Sequence, residues 1–296
     1  ARGRLAERGF NQALEIARTA EQIVRSAGMP PAAHADTLNV VGRAELASGR
    51  PADALQTFER CLSLLPADHP EQSALRFNIA NCLLTLGNAT AALSQFDALV
   101  SSGANDPTTP SFPEDVQRGR AVALFHLGRF DEAAATLAQV LARMEQAGRR
   151  GSLEGATLCA DLANCLRACK RPQESLQLVE TALASVRARI EGDRGELEFL
   201  LQGLAASLRD LGHATGDRGL LDRATATYEE SAAMGRRLGT PERLFTLTSL
   251  ANHLLDLSDD VGVAGAERAV GHYREAIHEA EVLRSHAMRV DEVQRA

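Results

Sequence analysis

Tryptophan is absent from these 296 residues, tyrosine occurs only at Tyr228 and Tyr273, and Lys170 is the only lysine. Aromatic residues make up 4% of the chain, too few for the stacking platforms that read single-stranded RNA. The net charge of -7 argues equally against the basic face that nucleic acid requires, so no nucleic-acid partner is expected. No apolar run is long enough to span a bilayer and no signal peptide is visible, so the expectation is a cytoplasmic protein without a membrane partner. The chain opens on Ala1 rather than Met, with an incomplete first helix pair, and reads as an excised piece of a longer protein.

Catalytic signatures are missing too. There is no G-x-x-x-x-G-K-[ST], H-E-x-x-H or G-x-S-x-G. His272 and His278 are six apart and face different ways, while His126 and His253 read as groove or surface residues. Asp259-Asp260 reads as turn charge and Glu229-Glu230 as helix-surface charge. Five cysteines, Cys61, Cys82, Cys159, Cys165 and Cys169, form an odd set that suits reduced core thiols. Cys165 and Cys169 are one helical turn apart and could supply half a metal site, but no matching His or Cys accompanies them, and packing is the preferred reading. No cofactor, metal site or enzymatic activity is expected.

What is present is an Ala- and Leu-rich chain with helical periodicity. It is organised around Leu38–Pro66. Leu38, Val41, Gly42 and Glu45 fall three or four apart on one face of a first helix. Ser48-Gly49 ends that helix, because Gly accepts positive φ, and Pro51 opens a second. Ala54, Phe58 and Cys61 form the stripe of the second helix, and Pro66 stops it.

Small at Gly42, Gly at 49, then Ala54, Phe58, Cys61 and Pro66 together resemble the tetratricopeptide consensus. Variants recur along the chain. Arg8–Ala13 reads as the inter-helix turn of a truncated first unit, with Ala13, Ala17 and Ala20 as its second-helix stripe. A third unit runs from about Pro70 to Ser102, and a fourth has the turn Leu127–Ala133 followed by Leu137 and Val140. The fifth spans Ser152–Cys169 and Pro172 to about Ile190, with Lys170 in place of the turn Gly and Ser175 in place of the marker Ala. Leu204-Ala205 with Ala224 and Tyr228, and Leu250-Ala251 with Ala269 and Tyr273, mark a sixth and a seventh unit. Marker positions lie about 40 residues apart, longer than the ~34 of the short unit. This period is similar to the long-helix arrays of kinesin light chains, bacterial pheromone receptors and large bacterial signalling proteins.

The resemblance implies an all-α protein, a right-handed α-solenoid of stacked antiparallel helix pairs with about seven repeats. One array over residues 1–296 is expected. It has a weak division at the Pro-, Thr- and Ser-rich loop 101–113 and longer inter-helix turns at 212–219 and 258–265. Residues 285–296 read as the start of another helix.

In the resembled family the first (A) helices line a concave wall. Three of them carry one pentad, Ile79-Ala80-Asn81-Cys82-Leu83, Leu162-Ala163-Asn164-Cys165-Leu166 and Leu250-Ala251-Asn252-His253-Leu254. The resemblance places Asn81, Asn164 and Asn252 in the groove, with Arg43 in the equivalent place of the second unit. An amide offers one acceptor and one donor group, which suits a peptide main chain. Capping or bridging of neighbouring helices is the structural alternative. Asn39, Arg118, Arg167 and Arg209 share the wall and could clamp a carboxylate, or pair with Asp115 or Asp210 nearby. The family's lysine-based clamp for a C-terminal carboxylate is missing. The expected function is a protein- or peptide-binding scaffold, the sensor or adaptor part of a larger bacterial signalling protein. The alternative is an intramolecular regulator of a fused effector domain (protease, NTPase, kinase or DNA-binding).

Overall fold

The computed structural model describes residues 2–66, 68–103, 112–189, 192–240 and 243–295, with side chains described except at 2–11, 258–262 and 283–295. Among the described residues there are thirteen α-helices and no strand. In chain order these are α1 (Arg2–Ser26), α2 (Pro31–Ala47), α3 (Pro51–Leu64), α4 (Gln72–Thr85), α5 (Ala89–Ser101), α6 (Phe112–His126) and α7 (Phe130–Gln146). There follow α8 (Leu153–Ala168), α9 (Pro172–Arg187), α10 (Gly195–Thr215), α11 (Arg218–Leu238), α12 (Arg243–Asp256) and α13 (Ser258–Arg295). The chain is an all-α solenoid in which helices pack on their neighbours in sequence. It forms two compact units, Ala1–Arg143 and Met144–Ala296.

Within the first unit the α2–α3 pair forms as its residues dictate. Gly49 takes φ +75°, Pro51 sits in the first turn of α3, and Ala54, Phe58 and Cys61 are fully buried. A Cβ on Gly42 would stand 2.7 Å from the Phe58 ring, so only Gly lets α2 and α3 approach this closely. Gly119 on α6 does the same against Phe96 of α5, at 2.4 Å. Full burial of each phenylalanine contributes roughly 2–3 kcal/mol. Between the α1, α2 and α3 layers lies a buried carboxylate, Glu45, held by Arg18 at 2.8 Å and by the Thr57 hydroxyl at 2.7 Å.

In the second unit, the two departures from the repeat pattern are both accommodated. Lys170 adopts the turn's left-handed conformation at φ +61°. Ser175, fully buried where the repeat places Ala, donates to the Ala163 carbonyl at 3.0 Å and lies 2.7 Å from the Ser207 hydroxyl. A hydroxyl is tolerated there because it is bonded.

Several expectations are corrected. No turn exists at Arg8–Ala13, since α1 runs unbroken from Arg2 to Ser26; an interior Gly weakens a helix without having to end it. Among the described side chains of α1, Leu14 and Ala17 are buried and Ala13 is exposed. The presumed long turn at 212–219 is a two-residue link, Gly216-Asp217. Gly216 ends α10 at φ +71°, and the Asp217 carboxylate accepts from the Gly219 and Leu220 amides to start α11. Residues 258–265 likewise belong to α13, and so do 285–295, which continue that helix instead of starting another. Of the expected division at 101–113, residues 104–111 lie outside the described residues, and the two compact units part at 143/144.

Candidate functional site

The pentads position the candidate side chains. In α4, Ile79 and Ala80 are buried and Asn81, next in line, is half-buried. Among the described residues its side chain has no hydrogen-bond partner, leaving both carbonyl and amide unused. On α2, which packs on α4, Asn39 is half-buried with its Oδ1 fully covered and unpartnered. Arg43, one turn further on, is exposed and without an ion pair among the described residues. On α6, which also packs on α4, Arg118 is half-buried. One turn before Asn81, Phe77 meets Phe96 and Phe112 edge-on, with ring centroids 6.0 and 5.3 Å apart. Thus Asn39, Arg43, Asn81 and Arg118 fall on three successive packed A helices of the first unit.

In the second unit, three predicted residues converge on one carboxylate that was foreseen only as a bystander. Arg167 of α8 donates through Nε to Asp210 Oδ2 at 2.7 Å and through Nη1 to Asn164 Oδ1 at 3.2 Å. Arg209 donates through Nε and Nη2 to Asp210 Oδ1 at 3.0 and 2.7 Å. Burial alone would raise the Asp210 pKa, but the two guanidiniums outweigh it and hold the carboxyl below its usual range. Burial likewise opposes the charge on Arg209, whose pKa is nevertheless raised by Tyr228, Asp210 and Asp256. Two guanidiniums thus bracket one carboxylate at a partly buried site, with Asp256 acting on Arg209 as a second negative charge. Asn252 on α12 is exposed, and its Oδ1 accepts from the Tyr273 hydroxyl of α13. Asn164 and Asn252 therefore already use their acceptor oxygens within the fold, whereas Asn81 does not.

Buried reactive groups are held inert. Burial pushes the Cys61 and Cys165 thiols up to about 12, and those of Cys82 and Cys159 to about 11, so all four stay protonated at neutral pH. Among the described residues no three His, Cys, Asp or Glu side chains gather into a potential metal site. His253 is a correction: it is fully buried, not a groove or surface residue. Its pentad position is that of Cys82 and Cys165, both buried, and this parallel was the available signal. Its Nε2 lies 3.1 Å from the Leu221 carbonyl and 3.0 Å from the Thr225 hydroxyl, while Nδ1 is buried without a partner. Asp259 and Asp260 carry undescribed side chains, whereas Glu229 and Glu230 pair across helices with Arg268 and Arg187.

Residues 45–108 and 111–148 each match a family model described as tetratricopeptide repeat. No curated protein sequence matches the chain. The fold is similar to that of apo RapI, with a TM-score of 0.64 and 13% identity over 93% of each chain. It also resembles BtubC (BKLC) from P. vanneervenii, with a TM-score of 0.56 and 16% identity over 76% of this chain and 90% of that one. A Podosopora anserina kinesin light chain with TPR-like repeats gives a TM-score of 0.55 and 19% identity over 68% of this chain and 97% of the other. Residues 45–108 and 111–148 thus carry tetratricopeptide repeats.

Proposed function

We propose that this tetratricopeptide-repeat array is a non-catalytic scaffold that binds a protein partner through an extended peptide laid along its A helices. Within that reading it serves as the sensor or adaptor segment of a larger bacterial signalling protein, as the ~40-residue repeat period suggests by resemblance.

One observation carries the peptide reading. Asn81 keeps an amide and a carbonyl unused at a half-buried position, beside a helix on which the covered Asn39 oxygen has no donor. A peptide's N–H and carbonyl can meet the Asn81 carbonyl and amide directly, whereas the covered Asn39 oxygen would meet a ligand only after its side chain turned outward. Arg43 adds a charge for an acidic side chain, and Phe77, one turn before Asn81, an apolar surface. In the second unit the Arg167–Asp210–Arg209 group offers two guanidiniums at fixed positions, with the unused Asn164 amide adjacent.

The test is selection of peptides from a random display library on the intact chain. Fluorescence anisotropy of a selected peptide then compares the parent with Asn39→Ala, Asn81→Ala and Arg167→Ala. Asn81→Ala is expected to weaken binding by about tenfold, the loss of one or two good hydrogen bonds. Circular dichroism should find each variant as helical as the parent. A selected peptide that binds Asn39→Ala and Asn81→Ala as tightly as the parent would remove the A-helix face from consideration.

A further inference from the structure

We propose that the outer flank of α13 is a self-complementary seam that joins two copies of this chain antiparallel. Val263, Val270 and Ile277 recur every seven residues on α13 and are 76%, 42% and 58% exposed. Ala266, Tyr273 and Ala280, all partly buried, fall three residues after each. Apolar positions alternating at three and four over two heptads form the seam of a coiled coil.

The placement of this seam on the helix is set by the opposite flank. Arg268 pairs with Glu229 of α11, and the Glu275 carboxylate accepts from Arg236 Nε and Nη2, each at 2.8 Å. Ala269 and Ala276 point inward and are buried. At 100° per residue, the Val263–Val270–Ile277 line therefore lies on the side of α13 away from α11, where a further helix would stack.

Charge decides what covers it. Glu267 and Arg274 are exposed beside the seam and have no ion pair among the described residues. Place a second α13 antiparallel with Val270 opposite Val270. Val263 then meets Ile277 of the second copy, and Glu267 meets its Arg274, each contact occurring twice as a two-fold axis demands. Slipping the pair by one heptad sets Arg274 against Arg274 and Glu267 against Glu281, which is repulsive. A parallel pair sets Glu267 and Arg274 against the flank occupied by Ala269 and Ala276, with no charge to meet. One register of one orientation is thus selected. Two heptads would be marginal between free peptides, but α13 is already folded against α12, so association need not order it.

Sedimentation equilibrium of the intact chain from ~1 to ~200 µM tests this, a range suited to a short seam. The parent is expected to shift from monomer to dimer within it. Val270→Asp places two carboxylates at the centre of the seam and should weaken the dimer by more than ~20-fold. Glu267→Arg and Arg274→Glu should each weaken it about fivefold, since each disturbs two exposed pairs, and the double swap should return it to within about twofold of the parent. The proposal is overturned by a parent that stays monomeric to ~200 µM, by a Val270→Asp chain that dimerises as the parent does, or by a double swap no tighter than the single changes. All five positions changed or paired here are solvent-facing, and circular dichroism should be unchanged throughout.

Discussion

At the scale of single residues, the side chains that depart from the repeat pattern say most about the second unit. His253 occupies a position that two other pentads fill with cysteine, and it is kept neutral. Burial lowers its pKa, the Arg209 and His213 charges act the same way, and the Leu221 carbonyl and Asp256 only partly oppose them. A carbonyl can only accept, so the ring proton sits on Nε2 and Nδ1 is a covered nitrogen with no partner. Tyr228 closes the pocket, 5.8 Å from the imidazole centroid. The unfolded chain protonates this histidine below about pH 6.5, while the fold resists doing so. The unfolded state then binds more protons, and stability must fall as the pH drops through that value, by at most about 1.4 kcal/mol per pH unit for one proton. Asp210 acts with the same sign at lower pH, since its carboxyl is held low and its contribution is lost only in more acidic solution. Thermal unfolding between pH 7 and 5.5 should therefore show a melting temperature that declines on acidification. The decline should be shallower in His253→Gln, with His272, also lowered by burial, supplying part of the remaining slope. An identical slope in His253→Gln would place the acid sensitivity elsewhere.

At the scale of helices and turns, glycine has two uses here, and composition does not separate them. Gly49 and Gly128 sit at positive φ after a helix, where the repeat pattern placed them. Gly212 was grouped with them because it begins a Gly- and Asp-rich stretch. Instead it lies within α10, where a Cβ would come within 2.7 Å of Leu221, and the stop is Gly216 four residues later. The repeat turns were legible because Gly, marker Ala and large apolar residue fix one another's spacing. The inserts were not, because nothing in their composition distinguishes a small residue for close packing from one for reversing the chain. The same distinction predicts opposite effects of one substitution. Gly119→Ala drives a methyl into the Phe96 ring, at 2.4 Å, and should destabilise the chain by about 1–3 kcal/mol despite alanine's better helix propensity. Gly271→Ala, on α13 with nothing within 4 Å of the added carbon, should instead stabilise by about 0.5–1 kcal/mol. Urea unfolding of the two variants beside the parent measures both signs. The candidate site was legible to a similar degree: the pentads marked Asn81, but the capture of Asn164 by Arg167 and of Asn252 by Tyr273 depends on side chains outside the shared pentad, which differ from one repeat to the next.

At the scale of the whole molecule, a solenoid divides its stability among neighbouring helices and has no single core to lose. The division is uneven. In α10 every residue from Leu200 to Leu208 is buried, and the helix packs against α8, α9 and α11. At the other extreme, α1 has Leu14 and Ala17 as the buried core residues among its described side chains and packs on α2. Opening of α10 requires three helix interfaces to separate, whereas α1 can detach at the cost of one. Native-state hydrogen exchange should therefore find the slowest amides in α10 and the fastest helical amides in α1. Because each helix feels chiefly its neighbours, damage should also stay local. Gly119→Ala, which wedges α6 from α5 in the first unit, should accelerate exchange in those two helices and leave the α10 amides, in the second unit, at the parent's rate. Equal acceleration in α10 would mean that the chain opens only as a whole, and the nearest-neighbour account of its stability would have to be given up.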